Sequence, residues 1–210
     1  MNFKLTASLA IPLVMSGFLF MSNISLAEKS VDDWPAVKQA LLTTGFILHR
    51  DSNLVLRRAF GIQEEIPEFN LTVETFNAFL FENGLPGAMT VTSPKQHPIN
   101  GILTMAKIDR KDETRQTGLC TEIDATTCVI SDTQEHIVFF VIVEIDDTLS
   151  PHNRTSALGN SLFASFGVRV DGSDREFANK ALRFSYKYLK PGMKEAETKR
   201  QFEKYWALLD

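Results

Sequence analysis

The sequence predicts an α+β domain, a small mixed sheet with a central hydrophobic strand at about 136–145, packed by terminal helices. Three observations lead there. The run from His136 to Ile145 is continuously β-branched and aromatic between polar clusters, as expected of a central strand buried on both faces. Apolar residues recur at helical spacing near Trp34 and again from Ser173 to the end. No internal repeat, low-complexity tract or linker divides the chain, so one core suffices for the residues beyond the leader.

In chain order, helix comes first. Asp32 or Asp33 caps a helix opening at Trp34-Pro35, with Val37, Leu41 and Leu42 on one face and Gly45 as the stop. Phe46-Ile47-Leu48 and Leu54-Val55-Leu56 read as a pair of strands, although Leu56 to Phe60 also suits the start of a helix. Thr72 caps a second helix whose Val73, Phe76, Phe79 and Leu80 form an apolar stripe, ended by Gly84 and Pro86. Ala88 to Thr92 alternates like a half-buried strand, and Ile99 to Ile108 offers another after a turn. The charged run to Arg115 reads as a solvated loop. Beyond Pro151, Leu158, Leu162, Phe163 and Phe166 share a helical face that Gly167 ends. Ser173 with Glu176 has capping-box spacing, and Phe177, Ala181, Phe184 and Tyr188 line the next helix. Lys190-Pro191-Gly192 breaks it before a last amphipathic helix, Met193 to Leu209, with a favourable Glu195–Lys199 pair.

The first 27 residues have a different character. Lys4 precedes an almost uncharged apolar run, Leu5 to Met21, and Ser25-Leu26-Ala27 supplies the small residues at which a bacterial signal peptide is cut. The reading is a signal peptide at 1–27 and a single domain at 28–210, periplasmic or secreted, with no stable membrane anchor after cleavage. Export makes a disulfide between Cys120 and Cys128 the natural expectation, a staple across a loop. The spacing is not the CxxC of a redox pair. With 22 basic and 26 acidic residues and a net charge of −4, the chain has no excess of positive charge for nucleic acid or anionic lipid.

Catalytic patterns are sparse. His49, His97, His136 and His152 are scattered, no HExxH occurs, and only His136 and His152, flanking the hydrophobic strand and the turn after it, are candidates to share a metal ion. Gly159-Asn160-Ser161 sits within a helical pattern and not at a strand-to-helix elbow, and no P-loop or GxGxxG is present. Glu64-Glu65 and the Glu144, Asp146, Asp147 cluster lack calcium-loop spacing. No cofactor is implied.

From about Cys120 onward the order of elements is a cysteine-bearing segment, a hydrophobic strand, a helix ending in Phe166-Gly167 and a helix ending in Tyr186-Lys187-Tyr188-Leu189-Lys190-Pro191-Gly192-Met193. In this the chain resembles an uncharacterised family of exported bacterial proteins, one of the domain-of-unknown-function families numbered in the 2900s, similar in outline to zincin metalloproteases. Where the family pattern carries two acids and later a glutamine, this chain has Asn160, Ser161 and Ala164.

The expected function is that of an exported, non-catalytic binding or envelope-accessory protein. It would meet a protein partner in the cell envelope, with Phe202, Tyr205 and Trp206 as the candidate contact surface. The alternative is a zincin-like hydrolase, active or degenerate, in which His136, His152 and an acidic side chain converge near Asn160.

Overall fold

The computed structural model describes residues 33–41, 53–58, 67–91, 101–106, 121–122, 126–131, 134–170 and 174–209. The chain runs through α1 (Trp34–Leu41), β1 (Leu54–Arg58), α2 (Pro67–Glu82), β2 (Ala88–Val91), β3 (Gly101–Ala106), β4 (Thr121–Glu122), β5 (Thr127–Ser131) and β6 (Val138–Asp146). Then come α3 (Pro151–Ser165), α4 (Arg175–Tyr188), α5 (Glu195–Tyr205) and a closing 3-10 turn, Trp206–Leu209. The expected signal peptide, the Phe46-Ile47-Leu48 strand, His49, His97, the charged run after Ile108 and Cys120 lie outside the described residues. No helix among the described residues is long and apolar enough to cross a membrane.

The fold is α+β. Among the described residues six strands form one mixed sheet in the order β2-β1-β3-β6-β5-β4. The first four are parallel, and β5 and β4 are added antiparallel. Parallel neighbours need a crossover, and α2 supplies the one between β1 and β2. Asn77 on α2 ties that crossover to the edge strand: its side-chain amide donates to the Ala88 carbonyl and accepts from the Ala88 N–H at 2.6 Å.

Strand β6 lies inside the sheet, between β3 and β5, as its apolar run predicts. It is not buried on both faces, however. Val141, Val143 and Ile145 are fully buried, whereas Ile142 and Glu144 are half-covered and Phe139 is 57% exposed. Alternation of this kind marks a strand with one well-covered face. The strand also starts two residues later than its hydrophobicity suggests. His136 has a φ of 57°, in the left-handed region, and belongs to the turn that enters the strand.

Helices α2 and α3 pack on each other, α2 against β2 and α3 against β5 and β6. Helices α1, α4 and α5 form a second group, joined to α3 and its exit by Phe166 against Tyr186 (5.9 Å) and by the Arg169 N–H donating to the Ala40 carbonyl at 2.9 Å. The heart of this group is aromatic. Phe184 meets Trp206 and Phe202 edge-on at 86° and 88°, and Trp34 lies 5.3 Å from Phe202. The Trp206 Nε1–H donates to Asp33 Oδ2 at 2.8 Å, so the last helical turn closes over the start of α1.

Several local expectations are revised. Helix α2 begins at Pro67, not Thr72, because proline suits the first helical position and Phe69, one turn earlier than the expected stripe, is buried. Helix α4 is capped by Asp174, whose Oδ1 accepts from the Phe177 N–H at 2.9 Å. Glu195 reaches across to Lys38 at 2.7 Å and not along its own helix, while Lys199 faces Glu203 at 3.9 Å. Phe202 and Trp206, expected at a contact surface, are each 1% exposed. Packed helices leave no room for aromatics at these positions to face outward. Tyr205 is half-buried and stacks on Tyr188 at 4.2 Å and 8°.

Candidate binding groove

An open groove of about 550 Å³ runs between α2, α3 and the first turn of α4. Apolar walls come from Leu71, Phe76 and Phe79 on α2 and from Leu162 and Phe163 on α3. The aromatic floor is fixed by packing: Phe76 meets Phe163 edge-on at 4.9 Å and Phe166 at 5.7 Å. Polar groups converge from all three helices, Thr72 and Thr75, His152, Thr155 and Ser156, and Arg175 and Asn179. Such a volume, with mostly apolar walls and a few polar groups, is that of a small-molecule site, which typically spans about 300–1,000 Å³.

Among the described lining residues, Arg175 is the one charged side chain of fixed sign. It is the first residue of α4, where the partial positive charge of the helix opposes a cation. Asp174 beside it is exposed and engaged as the helix cap. The guanidinium is held by three contacts. Nη2 donates to the Ser156 carbonyl at 3.3 Å, the group sits 5.5 Å from the centre of the Phe163 ring, and it rests against Gly159. A Cβ at position 159 would come within 2.5 Å of Nη2, so the missing side chain is what lets the guanidinium lie across α3. Partial burial lowers its pKa from the usual arginine value, the direction that costs charge. No carboxylate among the described residues pairs with it, and only one of its five N–H donors has a described acceptor.

The two histidines singled out by sequence are not brought together. His152 lies at the start of α3 and lines the groove near Arg175, at the N-terminal end of α4. His136 packs against Gly192, where a Cβ would come within 2.5 Å of its Cδ2, beyond the C-terminal end of α4. The 14 residues of α4 span roughly 20 Å. No group of three His, Cys, Asp or Glu side chains close enough to share a metal ion occurs among the described residues. The stretch at which the family pattern would carry acids turns inward: Ser161 and Ala164 are fully buried, and Ser161 Oγ lies 2.7 Å from Thr126 Oγ1 beside β5. Asn160 is half-buried with its Oδ1 enclosed and without a hydrogen bond. Cys128 is buried on β5, and Cys120 lies outside the described residues.

His152 and Ser156 stand one turn apart on α3, but no hydrogen bond joins them, and no acidic side chain lines the groove among the described residues. The arrangement holds an anion donor set without a nucleophile and base in contact. Sequence reasoning named His152 but missed Arg175, Thr75 and Asn179. The available signal was Gly159, an isolated glycine within a helical pattern, which usually has a packing or functional reason. Comparison with protein-family models, curated proteins and solved structures returned no match.

Proposed function

We propose that this chain is an exported, non-catalytic binding protein, periplasmic or secreted, whose groove between α2, α3 and α4 receives a small organic ligand. The observation that carries the reading is the groove itself: aromatic walls locked by their own packing, with polar groups arriving from three separate helices. A preformed site of this kind binds without folding around its ligand, which keeps the ordering cost low. The export half of the proposal rests on the leader at 1–27, and it makes the Cys120–Cys128 staple part of the same reading.

The test is thermal denaturation of the full oxidised chain against a panel of small organic molecules, alongside a Thr75→Trp variant. Thr75 is exposed on α2 and lines the groove, so an indole there fills the space without entering the core. Ligands that raise the wild-type midpoint and leave Thr75→Trp unmoved support the reading. Ligands that stabilise both proteins equally place binding elsewhere and overturn it.

A further inference from the structure

We propose that the ligand of this groove is an apolar monocarboxylate, its carboxylate forked by Arg175 and its hydrocarbon body laid along Leu71 and Phe79 and over the accessible edges of Phe76 and Phe163. The inference rests on the groove being a binding site and adds the charge and shape of what enters it. Charge complementarity selects the occupant. Among the described residues the lining has a single permanent cation and no acidic side chain. A cationic ligand would meet Arg175 unopposed, and a neutral one would cover a partly desolvated guanidinium without compensating it. A carboxylate does compensate it, because planar guanidinium donors match two carboxylate oxygens at once.

The geometry prepares that fork. With Nη2 leaning on the Ser156 carbonyl and the guanidinium held near Phe163, the side chain is already ordered, and its other N–H donors have no described acceptor. Gly159 removes the one Cβ that would lift the group away from α3. Asn179, one turn along α4 from Arg175, adds an amide, and Thr75 adds a hydroxyl from the facing helix. Neither has a described hydrogen bond within the protein. Five apolar side chains then leave the rest of the groove suited to hydrocarbon and poor for a sugar or nucleotide.

The experiment is calorimetric titration of the full oxidised chain with decanoate, decanol and decyltrimethylammonium, with amide NMR shifts to locate each probe. Decanoate is expected to bind at least tenfold more tightly than decanol, to shift Thr75 and Asn179, and to outcompete the cation fully. Arg175→Met, which keeps apolar bulk, should lose that tenfold preference, with decanoate weakened and decanol bound at least as tightly as by wild type, since it no longer covers an uncompensated guanidinium. Arg175→Lys should retain part of the preference, since the charge stays and the fork goes. If decanol and decanoate bind the groove equally, the groove reading stands and the carboxylate inference falls. If no probe shifts groove residues, or if decanoate shifts residues elsewhere, both fall.

Discussion

Gly159 and Arg175 form a pair whose interaction can be measured without knowing the ligand. A Cβ at residue 159 would lie 2.5 Å from Arg175 Nη2 and 3.1 Å from Cζ, so Gly159→Ala must displace the guanidinium, the free end of a flexible side chain. Alanine in a helix interior is favoured over glycine by about 1 kcal/mol. Against that stands the 3.3 Å hydrogen bond to the Ser156 carbonyl, for which about 0.5–1 kcal/mol is reasonable at a half-exposed site. The cation–π contact with Phe163, at 5.5 Å, contributes about 0.5–1 kcal/mol more. The terms nearly cancel, and Gly159→Ala alone should change stability by less than about 1 kcal/mol. In an Arg175→Ala background nothing is displaced, and the same change should stabilise by about 1 kcal/mol. The predicted coupling is therefore about 1–2 kcal/mol. It is read from urea denaturation of the four proteins, or from melting midpoints at about 2–4 °C per kcal/mol for a chain of this size. Additivity within about 0.3 kcal/mol would refute the claim that Gly159 exists to seat the arginine.

Two further outcomes concern stability. Gly192 has a φ of 74° and its Cβ would come within 2.5 Å of His136 Cδ2. Gly192→Ala should therefore cost about 2–3 kcal/mol from backbone strain and displaced packing, checked by chemical denaturation; an unchanged midpoint would show that the turn yields freely. Trp206→Phe removes the bond to Asp33 Oδ2 and should cost about 1–3 kcal/mol, with amide exchange accelerated in α1; exchange that speeds up only in α4 or α5 would contradict the link.

The α+β class and most element types were legible because the dominant signals are local. Hydrophobic runs mark β6 and helical spacing marks α3 to α5. The sheet order was not, since the parallel pairing of β3 with β6 joins segments far apart in sequence and leaves no local trace. Reading Phe202 and Trp206 as surface failed for a related reason. An amphipathic stripe shows that one side is apolar, not that it is free, and here α1 and α4 already cover it. The site was half legible. His152 stood out by chemistry alone, whereas Arg175 looks like any charged residue in a helical first turn until Gly159 and Phe163 are seen beneath it.

The bond between Asp33 and Trp206 joins residues 173 positions apart. During synthesis α1 emerges well before the residues that cover it. Until α4, α5 and Trp206–Leu209 arrive, Val37 and Leu41, both buried in the folded layer, lack partners that pack against α1. Closure of this helical layer therefore waits on the segment from Arg175 to Leu209, and truncation ahead of Trp206 would leave α1 without its cover.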